Sequence, residues 1–220
     1  MTVRLRAAGC VFAEDEARLL REAAPDGAGL EALVARRIVG EPLESVVGWA
    51  EFCGLRVAVA PGVFVPRRRS ELVAREAVAL AAAVGVGAVV VDLCCGSGAI
   101  GAAVAKAVPG IELHAADIDP VAVGVAGRNI APFGGRAYAG DLFGALPARL
   151  RNRVDVIAAN APYVPSAEVA LMPTEARDYE PLAALDGGSD GLDIQRRAVA
   201  EAGEWLVPAG TLLNETSKHQ

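Results

Sequence analysis

The spacing of apolar and polar residues changes character twice along the chain. From Glu14 to Ala24, and again from Leu30 to Val39, charged and apolar residues recur at helical spacing, with Pro25 to Gly29 between them as a turn. This predicts a small helical hairpin, followed by a linker from Gly40 to Gly48. Phe52, Leu55, Val57 and Val59 then alternate irregularly up to Pro61-Gly62, which predicts a β-hairpin completed by Val63 to Val65. Ser70 stands as the N-cap of a helix running to Ala83, with Glu71 in its first turn where the macrodipole favours an acid.

Beyond this point strand and helix patterns alternate. The apolar run Ala88 to Leu93 and the segments Ile111 to Ala116, Arg136 to Ala139, Val154 to Ala159 and Thr211 to Asn214 predict five strands. Helical segments at Ala99 to Ala107, Pro120 to Asn129 and Gly191 to Leu206 lie between them. Strands apolar on both faces and joined by helices predict an α/β fold with a doubly wound, mainly parallel sheet of the Rossmann-like kind. The expected division is a short helical segment over 1–46 and one catalytic domain over 47–220.

Composition narrows the setting. The 220 residues, 53% of them hydrophobic, suffice for one domain with a well-buried core. A formal net charge of -6 opposes a phosphate backbone, so nucleic acid is an unexpected partner unless the one tight basic run, Arg67-Arg68-Arg69, forms a local patch. The N-terminus lacks the pattern of a signal peptide, and every apolar segment is broken before the roughly 20 residues a membrane helix requires. A cytoplasmic protein with no membrane contact is expected. Cys10, Cys53, Cys94 and Cys95 show no Cys-x-x-Cys spacing and His114 and His219 lie far apart, so neither a metal site nor a disulfide framework is expected.

The candidate chemistry sits where strands end. The first strand of the sheet runs into Asp92-Leu93-Cys94-Cys95-Gly96-Ser97-Gly98-Ala99, a glycine turn opening a helix whose free N–H groups and bare backbone suit a ligand. Asp117 ends the second strand about where a carboxylate meets ribose hydroxyls. Gly96, Gly98 and Gly101 also satisfy Gly-x-Gly-x-x-Gly, so this region alone leaves a dinucleotide dehydrogenase open. After the fourth strand comes Asn160-Ala161-Pro162-Tyr163, which taken alone is also a common turn.

Further segments carry a specific resemblance: Gly48 to Phe52, Phe64-Val65-Pro66-Arg67-Arg68-Arg69-Ser70-Glu71, Gly140-Asp141-Leu142-Phe143 and Tyr179-Glu180-Pro181-Leu182-Ala183-Ala184-Leu185. With the glycine turn, Asp117 and the Asn160 tetrapeptide, they make the chain resemble the protein-(glutamine-N5) methyltransferases, which modify peptide-chain release factors and a ribosomal protein. The resemblance runs from about Val47 to the end, in a shortened and divergent form. It implies the cofactor S-adenosylmethionine, with Asp92, Cys94, Cys95, Gly96, Ser97 and Gly98 around its methionine and ribose, Asp117 on the ribose, and Asp141 and Leu142 beside the adenine.

It also implies a protein substrate carrying an exposed glutamine. The Asn160 side-chain oxygen and the Ala161 carbonyl would accept the two amide hydrogens and aim the nitrogen at the sulfonium methyl, with Pro162 shaping the loop and Tyr163 packing on the acceptor. The family pattern is Asn-Pro-Pro-Tyr, so Ala161 departs from it. An adenine amino group or a small molecule is the alternative acceptor, and a cofactor-binding protein without turnover is a third reading. Related enzymes have a longer helical region before the position of Val47 and continue with a helix and two antiparallel strands beyond that of Gln220. The expectation is a truncated end or a bare sheet edge there.

Overall fold

The computed structural model describes residues 1–24, 26–218 and 220; Pro25, in the expected first turn, and His219 lie outside the described residues. The chain opens with α1 (Thr2–Ala7), α2 (Ala13–Ala23), α3 (Gly27–Ile38) and α4 (Leu43–Val47). Three acids in the first turn of α2 and two arginines in the last turn of α3 match the helix dipoles, and Asp26 caps α3 by accepting from the Gly29 N–H. These helices bury Leu5, Ala13, Leu20, Val34 and Val46 against one another, each large side chain worth about 2 kcal/mol. Patterning had shown only α2 and α3; α4 lies in the segment read as a linker.

A two-residue turn joins β1 (Trp49–Phe52) to β2 (Leu55–Ala58). Its residues Cys53 and Gly54 both have positive φ, +49° and +68°, the twist that suits an antiparallel pair. The expected strand at Val63 to Val65 does not form. Val63 and Val65 are buried, but the Val65 N–H donates to a carboxylate oxygen of Glu180 at 3.1 Å instead of joining a ladder.

The remainder alternates α5 (Glu71–Val84), β3 (Val89–Leu93), α6 (Ala99–Ala107), β4 (Glu112–Asp117), α7 (Pro120–Ile130), β5 (Arg136–Ala139), β6 (Val154–Ala159), α8 (Thr174–Tyr179), α9 (Asp193–Ala202) and β7 (Leu206–Asn214). The last strand begins earlier than its apolar run suggests, because Leu206 pairs with Val154 ahead of a bulge that includes Ala209 at φ +70°. Strand order is β5-β4-β3-β6-β7, every pairing in this sheet parallel.

Alternate residues of β3 feed separate cores. Val90 packs with Leu113 and Val156 on one face, while Val89, Val91 and Leu93 pack with Ile157 and Trp205 on the other. That double burial is why the central strands β3 and β6 are mostly apolar on both faces, broken only by the single acids Asp92 and Asp155. Leu93 is level with both Ala116 and Ala159, and Ala159 with Asn214. Because the strand order reverses at β3, the crevice beyond these aligned carboxyl ends is the natural ligand position.

Candidate active site

The bend after β3 bulges into that crevice through three left-handed residues, Cys94 (φ +55°), Gly96 (φ +51°) and Gly98 (φ +73°). Two ties hold it: the Cys95 N–H donates to the Ala116 carbonyl at 3.0 Å, and the Gly98 N–H to the Cys95 carbonyl at 2.7 Å. Asn129 locks the hairpin to the same bend. Its amide nitrogen donates to the carbonyls of Ala58 and Ser97, and its oxygen accepts from the Ala58 N–H. A cavity of about 330 Å³ opens above, lined among others by Cys94, Cys95, Gly96, Ser97, Asp117, Asp141, Leu142, Asn160 and Pro162.

Asp117 is braced from both sides. One carboxylate oxygen accepts from the Gly96 N–H at 2.8 Å and the other from the Asp119 N–H at 3.0 Å, which leaves each oxygen further acceptor capacity toward the cavity. Burial pushes its carboxyl above the usual range, against the pull of these N–H groups. Burial likewise drives the thiols of Cys94 and Cys95 upward, reinforced by the nearby carboxylates. Both stay neutral and offer the cavity soft apolar surface rather than a nucleophile.

Two expected cofactor residues do not line the cavity. The Asp92 side chain turns inward, fully buried, and accepts from the Gly101 N–H at 2.8 Å; desolvation pushes its carboxyl up to about 7. Gly98 faces α7, where an added Cβ would lie 3.0 Å from the Cα and Cβ of Ala126. Their work is to seat the bend on its neighbours.

Asn160 stands at the junction of this cavity with a second one of about 230 Å³, lined by Arg67, Arg69, Ala161, Tyr163, Met172 and Glu175 among others. Phe64, Asn160 and Ala184 border both. The Asn160 amide nitrogen donates to the hydroxyl of buried Ser70 at 3.1 Å, which leaves its side-chain oxygen for the junction. Ser70 was expected to cap α5, yet it makes no side-chain cap bond: its backbone is already helical (φ -69°, ψ -10°), not extended as in a side-chain cap, and its hydroxyl accepts from Asn160.

Two of the three arginines in the basic run are paired with carboxylates. Arg67 pairs with buried Glu180 at 2.6 Å and lies 4.8 Å from the Phe64 ring centre, and Arg69 pairs with Glu215 at 3.2 Å. Burial raises the Glu180 carboxyl while Arg67 and the Val65 N–H pull it back. Glu180 thus fastens the Phe64 to Glu71 segment to the Tyr179 to Leu185 segment, two pieces of the chain joined by contacts that spacing could not reveal. Arg197 reaches Asp141 at 2.5 Å on the cavity rim. Phe64, Ser70, Asn129 and Arg197 are therefore site residues that pattern reading missed; Phe64 and Ser70 at least stood inside a segment that carried the resemblance.

A family model described as the methyltransferase small domain matches residues 55–176. The release factor glutamine methyltransferase of Gloeobacter violaceus is 42% identical over 196 residues, covering 87% of this chain and 67% of that protein. The 4-amino-L-phenylalanine/4-methylamino-L-phenylalanine methyltransferase of Streptomyces pristinaespiralis is 37% identical over 191 residues, covering 85% of this chain and 65% of that one. The chain thus spans about two thirds of the length of these relatives. Among solved structures, the hMettl16 catalytic domain in complex with an RNA hairpin aligns with a TM-score of 0.52 at 13% identity, over 77% of this chain and 62% of that one, a likeness of fold. The model match over more than half of the sequence and the 42% identity to a release factor glutamine methyltransferase agree with the bend, the braced carboxylate and the Asn160 tetrapeptide, and the chain belongs to the release factor glutamine methyltransferases within the methyltransferase small-domain family.

Proposed function

We propose that this chain transfers a methyl group from S-adenosylmethionine to the side-chain amide nitrogen of a glutamine in a peptide-chain release factor, in the cytoplasm where translation takes place. One observation carries the reading: two cavities meet at Asn160, one floored by a nucleotide-type bend and carboxylate, the other bordered by Ala161 and Tyr163. The first fits the cofactor by its donor set. Asp117 keeps acceptor capacity for ribose hydroxyls, the Gly96 backbone closes on it without a side chain, and the neutral Cys94 and Cys95 thiols suit a thioether-like surface.

When bound over Cys94 to Ser97 and Asp117, the cofactor would supply an electrophilic methyl, the N–C bond forming as the S–C bond breaks and the surplus amide proton leaving to water. The difficulty lies in the amide, whose lone pair is delocalised into its carbonyl. Asn160 and Ala161 address it by position. The Asn160 oxygen, turned to the junction by Ser70, and the Ala161 carbonyl accept the two amide hydrogens and hold the nitrogen facing the first cavity. Such preorganised acceptors lower a barrier by about 3 kcal/mol in comparable sites. Replacing proline by Ala161 keeps the carbonyl, and Pro162 still biases residue 161 to extended backbone.

A second reading has one observation in its favour: the relative at 37% identity is named for an aromatic amine, and Phe64 and Tyr163 border the second cavity here. One experiment separates the two. Incubation with methyl-labelled S-adenosylmethionine, together with a purified bacterial release factor, 4-amino-L-phenylalanine or total RNA, is followed by mass spectrometry of the digests. A methylated glutamine in the release factor is the expected result. Label only in the amine or the RNA overturns the proposal.

A further inference from the structure

Glu215 is held more firmly than a residue just past the end of a strand needs to be. Its N–H donates to the carbonyl of Ala159 at 3.2 Å, the residue immediately before Asn160, and its own carbonyl accepts from the amide nitrogen of buried Gln195 at 2.8 Å. The backbone is therefore fixed on both sides. One carboxylate oxygen then takes the Tyr163 hydroxyl at 3.1 Å and the Arg69 Nε at 3.2 Å. The Arg69 guanidinium lies 5.7 Å from the centre of the Tyr163 ring, within reach of a cation–π contact.

The other oxygen is buried and has no hydrogen-bond partner among the described residues. Leaving a buried carboxylate oxygen unmatched costs stability, so the fold gains nothing from that second oxygen. Arg69 and Tyr163 both border the second cavity, and Glu215 is what joins them.

We infer that Glu215 is a positioning residue for the acceptor: through Tyr163 and Arg69 it fixes the wall of the second cavity against which the substrate chain lies. The inference rests on the methyl-transfer reading above and deepens it, since it assigns recognition of the protein segment around the glutamine to the Arg69–Glu215–Tyr163 group. Glu215 touches neither reacting atom. Its effect falls on how often the acceptor is seated, not on the cofactor.

The test compares wild type with Glu215→Ala, Glu215→Gln, Tyr163→Phe and the Glu215→Ala/Tyr163→Phe double variant, using a purified bacterial release factor as acceptor. Glu215→Ala is expected to raise KM for the release factor about tenfold, the size expected for losing a charge-assisted pair, with the dissociation constant of S-adenosylmethionine unchanged by calorimetry. Glu215→Gln, which can still accept from Tyr163, recovers part of this. Removing the Tyr163 hydroxyl in the Glu215→Ala background adds little, because the bond is already gone. Thermal melting separates positioning from folding: a residue serving the fold alone would lower the melting temperature and weaken cofactor binding in parallel, and that result overturns the inference. Wild-type KM in Glu215→Ala, or effects that simply multiply in the double variant, overturn it as well. If the wild type methylates no release factor, the methyl-transfer reading itself has failed, an outcome distinct from either.

Discussion

At the scale of single residues, two polar side chains divide labour in ways their sequence neighbours do not disclose. Ser70 occupies a cap position but spends its hydroxyl on the Asn160 amide 90 positions away, so its removal should free that amide to rotate. Ser70→Ala is expected to lower kcat about tenfold, the worth of one well-placed hydrogen bond, with cofactor affinity unchanged; an unaltered kcat in steady-state assays would remove Ser70 from the account. Asp92 carries the opposite kind of signal. Its carboxyl is lifted from 3.8 to about 7 by burial, so the folded state holds a proton that the unfolded chain has released. That contribution to stability is present below about pH 4 and is lost as pH rises toward 7. The difference amounts to about 4 kcal/mol at most. Asp92→Asn keeps an acceptor for the Gly101 N–H without the charge, so its melting temperature should gain on wild type as pH goes from 4.5 to 8. An offset independent of pH would contradict this.

At the scale of elements, the sheet was legible because burial on both faces makes strands such as Val89–Leu93 and Val154–Ala159 apolar at all but one position each. Short helices were not: α1 and α4 have six and five residues, too few turns for a 3.6-residue period to show. Val63 to Val65 misled for a related reason, since an apolar run reports burial and not pairing, and the Val65 N–H is taken by a carboxylate 115 positions away. The N-terminal helices are tied to the site by a similar long-range device. Arg37 pairs with buried Glu16 at 2.6 Å and reaches Glu175 of α8, a residue of the second cavity, at 2.7 Å, and the Tyr179 hydroxyl donates to the Val39 carbonyl at 2.8 Å. Arg37→Ala leaves Glu16 buried without its cation and is expected to cost about 3 kcal/mol in urea unfolding. Arg37→Met with Glu16→Gln should cost much less. Equal losses in the two would show that packing of the Arg37 stem, not the charge, carries the contact.

At the scale of the whole molecule, the candidate site is a meeting of three strand ends with the segments that follow the hairpin and α8. The contiguous pieces, the bend after β3 and the Asn160 tetrapeptide, could be read from sequence because each lies whole within a few residues. Glu180, Arg197 and Glu215 act through side chains brought together only by the fold. The net charge of -6 is consistent with a protein rather than a phosphate chain as acceptor, and two of the three arginines of the basic run, Arg67 and Arg69, are paired with carboxylates. What unites these parts in the proposed reaction is an acceptor amide positioned by Asn160 and Ala161. The most direct measurement is on Asn160→Ala: its rate of release factor methylation beside its calorimetric affinity for S-adenosylmethionine. The account predicts transfer reduced by at least about a hundredfold with affinity within about threefold of wild type. Transfer near the wild-type rate, or a loss explained entirely by weaker cofactor binding, would contradict it.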